Sequence, residues 1–262
     1  MKKFIRKNII EIIFIFVALL FSSWLMFSTF SYQNGSMLIA SKAWSDFASH
    51  IPLIRSFSFG NNFPPEYPIF PGSPIRYHFL FYLAVGFLEK TGLRIDFALN
   101  ILSAISFLFL LYMIYKLSRL LFKNYCVAIL AVLLFLFNGS LSFVYFFKNH
   151  PLSFPKTIFD ILNNQIFPAF APYDKSLISG GFWNLNVFTN QRHFALPLAI
   201  SLFIFYFLIK AEKTNRKLSL KLATLFGILI GIFSFLHGAV LIMSIAVLCC
   251  MFLLFPKQRI PI

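Results

Sequence analysis

Only 12% of this chain is charged, so ionisable residues that fall close together stand out. Asp46 and His50 lie four apart in Trp44-Ser-Asp-Phe-Ala-Ser-His50. On a helix that spacing puts both on one face, a turn from each other. A carboxylate so placed can act as a general base. Glu66 lies in a segment with five prolines between Pro64 and Pro74, and Arg76 and His78 follow it. The prolines exclude helix and set a stiff, extended path that can hold polar groups over a cavity. Arg192 and His193 stand directly before an apolar run. Arginine supplies a planar fork of donors and histidine a tunable one, a fitting clamp for a phosphate at headgroup depth. Each group also has a plainer reading. Asp46 and His50 suit a solvated helix face, the prolines a loop stiffened against proteolysis, and Arg192 interfacial snorkelling. His237 reads as a packed or interfacial histidine.

The elements that must position these groups are apolar. The 262 residues are 59% hydrophobic and 19% aromatic, with a mean hydropathy of +0.81. A soluble domain carries about 25% charged residues, twice the share found here. Soluble enzyme, disordered tail and nucleic-acid-binding domain are all excluded on that ground. Six runs read as spanning helices, at about 9–30, 97–115, 126–146, 194–210, 222–236 and 239–255. A bilayer needs roughly 20 apolar residues per helix. A seventh stretch, 77–89, contains His78 and Glu89 and is short, which suits a re-entrant or interfacial helix. The first run follows a basic start, Met1 to Lys7, and ends in aromatics, so it reads as an uncleaved anchor rather than a signal peptide. The fold class is therefore an all-α membrane protein. It is a polytopic bundle of about six spans, with 77–89 open as a seventh, forming one transmembrane domain.

Charge sets the orientation. With 77–89 not crossing and the N-terminus cytoplasmic, the inner pieces carry 14 of the 23 basic residues in 37 positions. The outer segments, 31–96 and 147–193, carry the other nine in 113. That density difference is the positive-inside signature, and it accounts for the net charge of +15 without a nucleic-acid partner. It places all five histidines and six of the eight acidic residues at the outer side. Any chemistry is then expected on the outer face of a plasma membrane, bacterial or archaeal. Trp44, Phe47, Ile51 and Ile54 form one apolar stripe on the helix that opens the first outer loop. That helix is expected to lie in the interface, stripe down, with Asp46 and His50 toward water or a cavity. Cys126, Cys249 and Cys250 form neither a disulfide framework nor a metal set.

The order of these pieces resembles the GT-C superfamily of integral-membrane glycosyltransferases, in particular transferases similar to protein O-mannosyltransferases and lipid A aminoarabinose transferases. The matching pieces are Trp44 to His50, Asn62-Phe-Pro-Pro-Glu66, Pro71-Gly-Ser-Pro-Ile-Arg-Tyr-His78 and the basic turn Tyr115 to Lys123, within residues 9–140. The resemblance implies a helical bundle with juxtamembrane helices in the first outer loop. It implies a polyprenyl-phosphate-linked sugar donor and a glycan, lipid or protein acceptor. Asp46 matches the family's first-loop catalytic acid, and Asp160 and Asp174 are weak candidates for a second. The chain reads as a minimal member or as the N-terminal portion of a longer one.

Sugar transfer from a lipid phosphate passes through an oxocarbenium-like state. Asp46, with His50 beside it, is the catalytic candidate. Glu66, Arg76, His78, Arg192 and His193 are candidates for binding the substrate. A bound divalent cation, Mg or Mn, and a cation-free mechanism are both open. The alternatives are a transporter or flippase of a lipid-linked or anionic substrate, and a non-catalytic subunit of cell-envelope assembly. A transporter would place ionisable groups near mid-membrane, where these runs have almost none.

Overall fold

The structure, a computed structural model, describes residues 2–40, 44–76, 78–138, 155–156 and 183–259. Asp160, Asp174, most of the 147–193 segment and the far part of the 126–146 run lie outside the described residues. Helix α1 covers Lys2–Thr29, and its apolar part, Ile9–Thr29, is 21 residues long. A hairpin of β1 (Phe30–Gln33) and β2 (Ser36–Ile39) follows. Helix α2 (Trp44–Ser58), a second hairpin of β3 (Glu66–Tyr67) and β4 (Phe70–Pro74), and helix α3 (Leu80–Lys90) complete the first loop. Helices α4 (Ile95–Phe122), α5 (Tyr125–Leu136), α6 (Trp183–Asn190), α7 (Ala195–Lys213), α8 (Leu220–Leu236) and α9 (Gly238–Leu254) follow among the described residues.

Three of these helices, α1, α4 and α7, are long and apolar enough to cross a membrane. Helices α5, α8 and α9 are apolar but shorter. Along α1, Ile12, Ile13, Phe16, Val17, Leu20 and Trp24 are exposed. An apolar flank of that extent needs a non-aqueous neighbour. Helix α4 lies centrally, packed against α1, α5 and α7. It runs antiparallel to α1, because Phe14 stacks on Tyr115 near one end and Phe27 meets Phe97 near the other.

The two ends of this bundle differ in chemistry. At one end Glu11 accepts from Tyr112, Lys116 and Arg119. At the same end Lys213 donates to the carbonyls of Leu120 and Leu121. There too Gln258 joins the start of α8 to the end of α7, through Leu218, Arg216 and Glu212. The opposite end carries both hairpins, α2, α3, α6 and the α8–α9 corner. The four described histidines, His50, His78, His193 and His237, gather at this opposite end, which also carries Arg55, Arg94 and Arg192.

Helix α2 departs from expectation. Its stripe was expected against the bilayer interface. Phe47 and Ile54 are instead wholly buried in the protein core, with Phe81, Tyr82 and Val85 of α3. The approach is close because position 86 has no side chain. A Cβ on Gly86 would stand 2.7 Å from Phe57 Cβ and 3.0 Å from the Ile54 carbonyl oxygen. The buried carboxylate of Glu89 adds a polar tie, accepting from Ser58 Oγ at 2.6 Å and pairing with Arg55 at 3.3 Å. From Leu80 the seventh apolar stretch forms the 11-residue α3, a helix that packs on α2. The strands also amend the all-α expectation. Asn34 and Gly35, both at positive φ, make the tight β1–β2 turn.

This packing is open to test. Gly86→Ala should lower stability by about 1–3 kcal/mol through overpacking. Gly231→Ala, on α8 with nothing within 4 Å of its Cβ, should be neutral or slightly stabilising. Thermal unfolding of both variants in detergent compares them, and equal losses would remove the close-approach account.

Candidate functional site

One pocket of about 600 Å³ gathers the chemistry. Its lining includes Asp46, Ser49, His50, His78, Gln191, His193 and His237. Four separate elements bring these together. Helix α2 supplies Asp46, Ser49 and His50 at helical spacing. His78 lies between β4 and α3, Gln191 and His193 just after α6, and His237 at the corner between α8 and α9.

His193 is at the centre. Its ring lies near-parallel to His78, at 4.9 Å and 19°, and to His237, at 5.2 Å and 22°. His50 meets it edge-on at 5.7 Å and stacks on Tyr82 at 4.4 Å. The Tyr82 hydroxyl and His193 Nδ1 are 2.6 Å apart. His78 holds a left-handed backbone at φ 40°. That conformation costs a non-glycine residue about 1–2 kcal/mol, and it turns the chain from the hairpin into α3. His50 Nδ1 and His237 Nδ1 have no hydrogen-bond partner among the described residues.

Burial sets the charge state. It drives the His50 pKa down to about 3, helped by repulsion from His78 and Arg192. Burial and then His237 bring His78 down to about 4. His193 is held well below its ordinary value by burial, then by His50, His78 and His237. Burial lowers His237 as well. At neutral pH all four imidazoles are uncharged. Burial raises the Asp46 carboxyl above its ordinary value, which makes its carboxylate a stronger base than a free one. The lining thus combines one carboxylate with several neutral donor–acceptor rings. Among the described residues no group of three or more His, Cys, Asp or Glu is arranged to hold a metal ion. Near-parallel rings offer their nitrogens side by side rather than toward one point.

Of the sequence candidates, Asp46, His50, His78 and His193 meet in this pocket. Arg192 does not line it. Its guanidinium is turned inward and almost fully buried. It donates to the Thr189 carbonyl at 2.8 Å, Asn100 Oδ1 at 3.1 Å, the Met26 carbonyl at 3.3 Å and Thr29 Oγ1 at 2.8 Å. Four neutral acceptors occupy the fork expected to clamp a phosphate. The burial lowers its pKa to about 9. Glu66 lies in the second hairpin, where its carboxylate accepts from the Gly72 N–H, and Arg76 is exposed just past the hairpin. Neither lines the pocket.

Sequence reasoning missed His237 and Tyr82. His237 had a usable signal, because a histidine at a tight corner between two apolar runs sits at the same end as His193. Tyr82 had none, since its partner is 111 positions away.

The depressed imidazoles carry a pH signature. An unfolded histidine titrates near pH 6.5, above His78 at about 4 and His50 at about 3 in the fold. Below pH 6.5 the unfolded chain gains protons that the fold refuses, so stability falls as pH drops toward 4 and is unaffected by these groups above 6.5. Thermal unfolding from pH 4 to 8 should show this slope, and His50→Phe should flatten it. A slope unchanged in that variant would mean His50 is not held neutral.

No protein-family model, curated protein or solved structure matches this chain, so a functional reading rests on the geometry above.

Proposed function

We propose that this chain is an integral-membrane glycosyltransferase of the GT-C type. It moves a sugar from a polyprenyl-phosphate donor to an acceptor hydroxyl at the outer face of the plasma membrane. In this reading six helices span the bilayer, α5, α8 and α9 joining α1, α4 and α7, and the N-terminus is cytoplasmic. The supporting observation is the pocket. It places the Asp46 carboxylate among four neutral histidines at the end of the bundle opposite the basic corners.

The chemistry follows from those groups. The acceptor hydroxyl approaches the sugar C1 and gives its proton to the Asp46 carboxylate as the new C–O bond forms. The C1–O bond to phosphate breaks, and the polyprenyl phosphate leaves with the electron pair. Imidazole N–H groups facing the pocket receive the charge that develops on the leaving oxygens. Arg192 takes a different part from the clamp its position suggested. It lies behind the pocket, near enough for its charge to act on Tyr82 and His50. The donor's lipid tail runs among the apolar helices.

Asp46→Asn removes the base and keeps the shape. It should cut transfer by about 10²–10⁴-fold while polyprenyl-phosphate binding in nanodiscs persists. Full transfer by this variant would end the assignment of Asp46. A wild-type protein with no preference for polyprenyl phosphate over ordinary phospholipid would end the transferase reading and favour a non-catalytic subunit.

A further inference from the structure

The Tyr82–His193 contact holds more information than its length. Tyr82 is completely buried, so its hydroxyl proton has no water to bind. The hydrogen-bonded partner found for that hydroxyl among the described residues is His193 Nδ1, at 2.6 Å. A phenol has one O–H to give and a neutral imidazole has one bare nitrogen to receive it. If Nδ1 carried the proton instead, the Tyr82 O–H would be left without an acceptor in the core, a costly arrangement. The phenol therefore donates and Nδ1 accepts. A neutral imidazole with Nδ1 bare carries its proton on Nε2, at the opposite edge of the ring.

We propose that Tyr82 is a positioning residue that locks His193 as an Nε2–H donor facing the pocket, making this a site for an oxygen acceptor of the phosphate-ester class. The proposal deepens the reading of the pocket as a polyprenyl-phosphate site and rests on it for the identity of the ligand. The tautomer itself does not depend on that reading.

The surroundings keep the lock closed. His78 and His237 lie near-parallel to the His193 ring and His50 stands at its edge, so its rotation is obstructed. Its backbone is set by Arg192, whose side chain is tied to Thr189, Asn100, Met26 and Thr29. The titratable groups around it are His50 from α2, His78 from the α3 entry, Tyr82 from α3 and His237 from the α8–α9 corner, with Asp46 across the pocket and Arg192 behind. Protonating His193 would put an N–H against the Tyr82 oxygen and strand the phenol proton, which reinforces the effect of burial on its pKa. A ring held this way has no lone pair at Nε2 for a cation. It can only give a hydrogen bond, and a phosphate-ester oxygen is a strong receiver for one.

The test uses the full chain in nanodiscs, labelled with ¹⁵N-histidine. The five histidines make a small spectrum, and His193→Gln identifies the His193 signals by their loss. At pH 7 the expected result is a fixed pair for His193, protonated at Nε2 and bare at Nδ1. Tyr82→Phe should replace it with signals averaged between tautomers. Geranyl phosphate then serves as a soluble probe. His193→Leu should bind it about 10–100-fold more weakly, the range for a lost donor to a charged group, and Tyr82→Phe, which leaves the donor tautomer populated part of the time, only about twofold more weakly. His193→Gln, which keeps an N–H, should bind better than His193→Leu. A wild-type His193 protonated at Nδ1 overturns the proposal, and that measurement needs no variant to fold. So does a His193 signature unchanged in Tyr82→Phe, or geranyl phosphate binding that ignores both His193 substitutions. A correct tautomer and correct probe binding, with no sugar transfer from any donor, would leave this inference standing and defeat the transferase reading.

Discussion

The histidine end of the bundle depends on one buried charge. The Arg192 guanidinium sits inside the protein with four neutral acceptors and, among the described residues, no carboxylate as a hydrogen-bond partner. An isolated charge moved out of water is costly unless its N–H groups are satisfied. Here they are satisfied by groups from three places: the end of α1, the start of α4 and the end of α6. The guanidinium can keep these bonds only while those elements stay together. Asn100 extends the tie, because its Nδ2 donates to the Phe30 carbonyl while its Oδ1 accepts from Arg192. Asp96, a turn earlier on α4, accepts the Tyr32 N–H and a two-pronged pair from Arg94. The first hairpin is thereby fastened to α4, and His193 is delivered to the pocket as the next residue along from Arg192.

The basic end is built on different physics. Glu11 is a carboxylate inside an apolar helix, and it is met by two cations and a phenol from one face of α4. Those partners recur at Tyr112, Lys116 and Arg119, roughly one turn apart, so a single acidic residue on α1 is enough to fix the helix pair's register. Glu11 is met by opposite charge, whereas Arg192 at the other end is surrounded by carbonyls, an amide and a hydroxyl. The Arg192 charge is one reason the nearby His50 stays neutral.

The long helices were legible because their signal is local. Ile9–Thr29, Ile95–Phe122 and Ala195–Lys213 are apolar runs bounded by charge, and hydropathy depends on nothing outside the run. Helix α2 was legible as a helix for the same reason, from the spacing of Phe47, Ile51 and Ile54. Its environment was not. A stripe of apolar residues looks the same whether it faces lipid or another helix, and what decided it was Gly86, over thirty positions away, leaving room for α2 to approach. The pocket was half legible. Asp46 and His50 share a helical face and a short span of sequence. Arg192 was assigned the opposite direction, because an arginine beside a span suits a headgroup as well as a buried tie. Its partners at Met26 and Asn100 lie 166 and 92 positions away, and no local pattern carries that information.

Stacked neutral histidines are an unusual way to line a pocket, and their arrangement has a collective consequence. Each ring depresses its neighbours, since a proton on His50, His78 or His237 would repel one on His193. The set therefore behaves as coupled sites that resist charging together rather than as four separate titrations. That resistance lets one carboxylate dominate the field of the pocket. Burial raises the Asp46 pKa, and no cation among the described residues is a cause acting against that shift. Replacing any one of these rings with lysine or arginine would place a counter-charge there and lower the Asp46 pKa. Burial is what makes that carboxylate basic, and the neutral histidines add no counter-charge to undo it.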